Sequence, residues 1–235
     1  MILIRLAKGH WQLIFLTALI FAFWSTQLVF PLKILVIFLH ELSHALAGWL
    51  TGGSVAQISL EAREGGLAIV RGGNGFIISS AGYLGSLLLG VALFLAALRS
   101  RADRAVMAFF GITLLLITAI YFRTLFEVGF GVATGTAMLL IAYALPRPVN
   151  DLLLRIIGLT SMIYVPYDIF DDTIARSGIR SDARILAETY GGPTLLWGGI
   201  WLILSLIAIG SCLRYGIGKN SNLALPGSRR LRRRS

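Results

Sequence analysis

The chain has 235 residues, of which 57% are hydrophobic and only 14% charged, and its mean hydropathy is +0.81. Soluble domains carry about 25% charged residues, so this composition excludes an ordinary soluble enzyme and indicates a polytopic membrane protein. The length accommodates six or seven spans of about 20 residues, and we expect no attached soluble catalytic domain. The expected fold class is all-α, with six to seven transmembrane helices and a short β-hairpin.

The formal net charge of +10 comes from 21 Lys and Arg against 11 Asp and Glu. Part of the excess lies in the arginine-rich run 229–234, within a basic tail at 219–235 that we expect to be disordered. Such a tail is typical of a cytoplasmic anchor against anionic lipid, so the bilayer is the expected partner and nucleic acid is not. Residues 1–235 are expected to form one membrane domain, in which the single Cys212 can form no internal disulfide.

The first predicted span, 11–30, follows Arg5 and Lys8. Basic residues before an apolar run also occur at the start of a signal peptide. The span is long enough to cross a bilayer and no small-residue cleavage site follows it, so we predict a retained helix that is closed by Pro31. The second span, 32–50, ends before Gly52 and Gly53, which favour a helix stop.

Residues 55–60 alternate apolar and polar side chains, and 67–70 are β-prone, which together predict a hairpin. Small residues at helical spacing within 81–90 predict close packing of the next helix against a neighbour. Ser181 and Asp182 are predicted to cap a short polar helix. The remaining predicted spans are 75–98, 105–122, 128–145, 152–170 and 194–213.

The second span contains the motif His40-Glu41-Leu42-Ser43-His44. Histidines four residues apart on a helix project from the same face, where both can bind one tetrahedral ion. Glu41 lies beside them and can take a proton from a water molecule that the ion activates, which is the chemistry of the His-Glu-x-x-His motif.

Ionisable groups at the middle of a membrane span cost about 2.5 to 3.5 kcal/mol each on insertion scales. Zn²⁺ bound to neutral imidazoles offsets this cost, since the metal satisfies the polar ring nitrogens. The alternative is that these residues line a polar cavity without metal. We consider zinc the better explanation of the spacing in this apolar setting.

A catalytic zinc site usually has three protein ligands, so a third must come from elsewhere in the chain. His10 is a poor candidate because it precedes the first span. The acids at the end of the sixth span are better, and we predict Asp168 as the ligand, with Asp172 as second choice or as a partner that orients an imidazole. Alternatively, these acids only end a helix at the membrane interface.

Three segments together resemble the bacterial branch of the site-two protease family of intramembrane zinc metallopeptidases. They are His40–Ala45 with the following Thr51-Gly52-Gly53, the small-residue segment 81–86, and residues 168–173 with 181–183. The resemblance implies zinc held by His40, His44 and an aspartate from a later span, with Glu41 as general base. It also implies a hairpin that offers an edge strand to substrate. Better-studied members carry this aspartate in an Asp-Gly pair, which does not occur in this chain.

The predicted function is hydrolysis of peptide bonds in another membrane protein, with Zn²⁺ as cofactor and the inner (cytoplasmic) membrane of a bacterium as location. The alternative is a non-catalytic subunit or assembly factor that retains the fold, and membrane-complex partners are expected in either case. A transporter is disfavoured because the chain has no evident duplication. Basic residues at both ends favour an even number of crossings, although seven apolar segments are present.

Overall fold

The computed structural model describes residues 2–175, 181–218 and 220–223. These residues form a mostly helical protein with eight α-helices and a small two-stranded sheet, which confirms the predicted fold class. Two single π-helical turns continue the sixth and eighth helices. In chain order the elements are α1 Ile2–Ala22, α2 Phe30–Leu50, β1 Ser54–Glu61, β2 Gly65–Arg71, α3 Gly75–Arg99, α4 Asp103–Tyr121, α5 Leu125–Ala144, α6 Arg147–Phe170 with the π-turn Asp171–Ala175, α7 Asp182–Tyr190, and α8 Thr194–Ser211 with the π-turn Cys212–Gly216.

Six of the described helices are long and apolar enough to cross a membrane, namely α2, α3, α4, α5, α6 and α8. Helix α1 is not among them and is kinked at His10, whose φ and ψ are −133° and 18°. The predicted bounds of the first span were wrong, because α1 already ends at Ala22. Pro31 does not close that helix but occupies the first turn of α2. The backbone N–H groups of a first turn have no partner within the helix, so the N–H that proline lacks is not needed there.

The small residues of α3 allow two other helices to approach closely. A β-carbon at Gly85 would lie 2.7 Å from the Ser43 β-carbon on α2, and one at Gly90 would lie 2.5 Å from the Ser161 β-carbon on α6. Ser161 in turn donates a hydrogen bond to the Ser86 carbonyl at 2.9 Å. Helix α3 is therefore packed between the motif helix and α6, as the small-residue pattern predicts.

The β1–β2 hairpin confirms the strand prediction and lies against α2. The strands are antiparallel from the Ser54–Arg71 pair to the Glu61–Gly65 pair, with a bulge between Val55 and Gln57. The hairpin is held to α5 by Glu127, whose Oε1 accepts a hydrogen bond from the Leu60 backbone at 3.2 Å. The other oxygen of Glu127 accepts from the Arg123 and Thr124 N–H groups, so one carboxylate caps α5 and fixes β1.

The two described ends of the chain bond to each other. The Ser221 N–H donates to the Gly9 carbonyl at 3.0 Å, the Ser221 hydroxyl lies 2.8 Å from His10 Nδ1, and Asn222 bonds to the Lys8 carbonyl. Both ends therefore lie at the same end of the bundle, as an even number of crossings requires. Most of the predicted basic tail, at residues 219 and 224–235, lies outside the described residues.

Candidate metal centre

Helix α2 presents the two motif histidines toward one cavity. The rings of His40 and His44 are one turn apart, with centroids separated by 4.8 Å. Both side chains are largely buried, since His40 and His44 expose 15% and 9% of their side-chain surface. The spacing of four therefore brings the two imidazoles together as the sequence predicts.

The acid beside this pair is Asp182, the first residue of α7. Its Oδ2 atom lies 3.0 Å from His40 Nε2 and 3.2 Å from His44 Nε2. Ligand atoms at about 2.1 Å from a tetrahedral ion lie about 3.4 Å from one another, so these separations are close to those of a zinc site. Two imidazole nitrogens and one carboxylate oxygen are also a donor set typical of zinc, and the trio could hold a metal ion.

Two further features of the surroundings fit a metal. His44 Nδ1 lies 2.7 Å from the Ile78 carbonyl, which can only accept, so in the neutral ring the lone pair is on Nε2 and faces His40 and Asp182. Gly82 of α3 lies directly against the trio. A β-carbon there would be 2.6 Å from both Asp182 Oδ2 and His44 Cε1 and would also collide with His40 Nε2. The absence of a side chain at Gly82 therefore leaves room for the three donor groups.

Asp182 lies outside the membrane-spanning helices and is ionised at neutral pH. Burial raises the pKa of its carboxyl, but without a metal the positive charge of protonated His44 and the hydrogen bonds that the protonated rings of His40 and His44 donate outweigh this effect. The net result is a pKa well below the usual range of an aspartate. An anionic carboxylate is the state in which Asp182 can bind a cation.

Glu41 lies next to the trio and beneath the second strand of the hairpin. The residue is 6% exposed, and Ala68 of β2 lines the same cavity. Strand β2 passes so close that a β-carbon at Gly66 would lie 2.5 Å from Glu41 Oε1 and 2.8 Å from Ile37 Cγ2. Glu41 thus lies between strand β2 and the group formed by His40, His44 and Asp182.

Asp168 and Asp172 line the same cavity as the trio. Among the described residues they belong to no group of His, Cys, Asp or Glu atoms close enough to hold a metal, whereas Asp182 does. Asp172 accepts a hydrogen bond from the Tyr83 hydroxyl. The Tyr83 ring stands perpendicular to the His40 ring, with centroids 5.0 Å apart, so this tyrosine contacts both His40 and the acidic end of α6.

The sequence placed Asp182 in a helix cap and in the segment 181–183 of the family resemblance, but did not predict it as a metal ligand. The cap itself is confirmed, since the Ser181 hydroxyl accepts a hydrogen bond from the Arg184 N–H. One feature of the sequence could have indicated a buried role for Asp182. It lies four residues before Leu186, so the two share a helix face, and Leu186 is fully buried. An acid that shares the buried face of a helix needs a polar partner there, and the histidines are that partner.

The cavity has a volume of about 400 Å³ and is bounded on one side by β2. Glu64 of the hairpin turn and residues 65–68 and 70 of β2 line it, and Leu67 remains 50% exposed. Glu127 accepts a hydrogen bond from Leu60 of β1, and β2 is the strand whose residues border the cavity. The arrangement combines a cation site, a carboxylate and a strand edge within one cavity.

These features define an integral membrane protein with a candidate metal centre of the His-Glu-x-x-His type. A family model, Peptidase M50B-like, matches residues 13–212. The chain therefore belongs to this peptidase family, a site-two protease family, which confirms the resemblance inferred from the motifs. Comparison with curated proteins and with solved structures gives no match.

Proposed function

We propose that the protein is an intramembrane zinc metalloprotease that hydrolyses peptide bonds of membrane-embedded segments. The observation that carries the proposal is the convergence of His40, His44 and Asp182 beside Glu41, within a helical bundle of membrane-span length. A site that served only to bind metal would need the ligands but not a buried carboxylate next to them. Membership of a peptidase family supports the same conclusion.

In this proposal His40, His44 and Asp182 are the metal ligands. Asp182 replaces Asp168, which the sequence favoured, because its carboxylate is 3.0 and 3.2 Å from the two imidazole nitrogens. Asp172 keeps the role of a supporting residue through its bond to Tyr83. The Ile78 carbonyl orients His44.

A bound zinc ion would polarise the scissile carbonyl and lower the pKa of water toward about 7. Glu41 is the general base that removes a proton from the attacking water and later delivers it to the leaving amine. Strand β2 lies against the Glu41 carboxylate at Gly66, and both residues line the cavity from which water can reach the base.

The substrate segment binds in extended form along the edge of β2. An intact helix keeps its carbonyl groups hydrogen-bonded, so a membrane helix must unwind locally before it can be cleaved. Main-chain hydrogen bonds to a strand edge stabilise the unwound segment, and the half-exposed Leu67 offers an apolar contact for its side chains.

The test compares Glu41→Gln with the parent protein and with Glu61→Gln, which makes the same chemical change at an exposed position of β1. Zinc content of the purified proteins and cleavage of co-expressed single-span reporter proteins, tagged at both ends, are measured. We expect Glu41→Gln to retain zinc and lose cleavage, and Glu61→Gln to retain both. A parent protein that binds zinc but cleaves none of the reporters would instead support a non-catalytic membrane subunit.

A further inference from the structure

A second cavity lies at the end of the helix bundle where α3 and α8 finish. Its volume is about 260 Å³, and it is lined by Leu98 and Arg99 of α3, by Arg155 of α6, and by residues 216–218 and 220–222 after α8. A single water molecule needs only about 10–15 Å³, so this cavity can hold a group of several atoms. It shares no lining residue with the cavity of the metal centre.

The lining of this second cavity is positively charged. Among the described residues that form it, the two arginines are the only charged ones. Arg155 is buried, and its charge is balanced by Asp151, to which its Nη2 donates at 2.8 Å. Arg99 donates to the Gly216 carbonyl at 2.9 Å and to the Tyr215 carbonyl, which are neutral groups. The charge of Arg99 is therefore available to an anion.

The cavity also has unused hydrogen-bond donors. A guanidinium has five N–H groups, and the bonds between described residues use two of them in Arg99 and three in Arg155. The Asn220 side-chain oxygen accepts from the Asn222 N–H at 2.8 Å, which leaves the Asn220 NH₂ group as a further donor. A phosphate group matches this set, because its oxygens only accept and two of them fit the planar fork of one guanidinium.

The position of the cavity along the helices corresponds to the membrane surface. The candidate spans Gly75–Arg99 and Thr194–Gly216 both end at its wall. The ends of membrane spans lie near the lipid headgroups, where long basic side chains keep their charge in a polar environment. The apolar Leu98 and Ile217 are also part of the lining. Basic pockets between membrane helices are a recurrent type of site for anionic headgroups.

We propose that this cavity binds a phosphate group, the chemistry that an anionic lipid headgroup shares with free inorganic phosphate. Arg99 binds two phosphate oxygens, Asn220 donates a further hydrogen bond, and Arg155 forms the inner wall. The bound group bridges α3 and the segment after α8, so it stabilises the folded protein. This site goes beyond the proposed function and requires neither zinc nor cleavage.

The test measures thermal unfolding of the full-length protein in a neutral detergent and a phosphate-free buffer. Three probes are titrated separately. Dihexanoyl phosphatidylglycerol has an anionic headgroup, dihexanoyl phosphatidylcholine has the same acyl chains and no net charge, and inorganic phosphate has no acyl chain. The quantity compared is the probe concentration that gives half of the maximal rise in unfolding temperature.

Two variants weaken the proposed site in different ways. Arg99→Gln removes the charge, whereas Asn220→Asp adds a negative charge at an exposed position and keeps the oxygen that accepts from Asn222. We expect each variant to raise the half-maximal concentration by at least about tenfold, as for the loss of one charge-assisted hydrogen bond. Arg101→Gln is the matched control, because it makes the same change at an exposed position outside the cavity and should behave as the parent protein.

The probe with the lowest half-maximal concentration identifies the source of the phosphate. Phosphatidylglycerol in that place indicates a lipid, and inorganic phosphate in that place indicates the free anion. Equal responses to the two lipids, or no response to any probe, would overturn the proposal, as would an equal loss in Arg101→Gln. Asn220→Asp decides the test if Arg99→Gln does not fold, and parent-like binding in Asn220→Asp would also contradict the site.

Discussion

Gly66 and Glu41 are in such close contact that no side chain fits between them. A β-carbon on Gly66 would lie 2.5 Å from Glu41 Oε1, although the two residues belong to different elements. The proposed base is therefore positioned by the strand above it as well as by its own helix.

Replacing Gly66 by alanine should displace the Glu41 carboxylate without touching the metal ligands. A misplacement of about 1 Å in a catalytic group can reduce the rate by about 100-fold, and we expect a loss of that size in reporter cleavage with zinc content unchanged. The matched control is Gly65→Ala, whose β-carbon would lie at an ordinary 3.4 Å from Glu61. Full activity in Gly66→Ala would argue against Glu41 as the base in this geometry.

Asp182→Asn should abolish zinc binding, because an amide oxygen is a much weaker zinc ligand than a carboxylate. Substituting a residue that only orients a ligand typically lowers metal affinity by about 10- to 100-fold. We expect Asp182→Asn to lower the zinc affinity by more than this, because it changes a ligand. Asp168→Asn and Asp172→Asn are the matched comparisons, and zinc content after dialysis against a chelator is the measurement. Loss of zinc in Asp168→Asn with retention in Asp182→Asn would restore the assignment made from the sequence.

Gly82→Ala should also prevent zinc binding, although it removes no ligand. Its β-carbon would collide with all three donor side chains, and forcing a methyl group into such a packed position costs about 1–3 kcal/mol. Gly199→Ala on α8 is the control, since a β-carbon there meets no atom within 4 Å. Zinc content and thermal unfolding in detergent are measured together, and a Gly82→Ala protein with normal zinc content would contradict the proposed arrangement.

Tyr83→Phe tests whether the tyrosine positions the site through Asp172. The change leaves the ring against His40 and removes only the hydroxyl that bonds to the carboxylate, an interaction worth about 1.5–3 kcal/mol. Asp172 begins the connection that leads to Asp182, so we expect zinc affinity to fall by about 10- to 100-fold while the fold is retained. In the double variant with Asp172→Asn the two effects should not add, and additive losses would show that the residues act independently.

The parts of the site that could be predicted from the sequence are those encoded within one helix. The spacing of His40 and His44 fixes their common face whatever the rest of the chain does, and Glu41 follows from the same motif. The hairpin and the packing role of the small residues of α3 were also predictable, because alternation and small-residue spacing are local patterns.

The rest depended on tertiary structure. Asp182 is 138 residues from His44 along the chain, and a serine-capped aspartate at the start of a helix is common at protein surfaces. Asp168 was favoured because it ends a membrane span, but the chain turns back after α6 and α7 brings a different acid to the histidines. Pro31 was misread for a similar reason, since a proline is equally compatible with the end of one helix and the first turn of the next.

The bonds between residues 8–12 and 220–223 have a consequence for biosynthesis. Gly9 and His10 are synthesised before the six candidate spans, whereas their partner Ser221 is synthesised after them. The kinked first helix therefore acquires these contacts only after all six candidate spans have been synthesised, and fixing its position is a late step of folding.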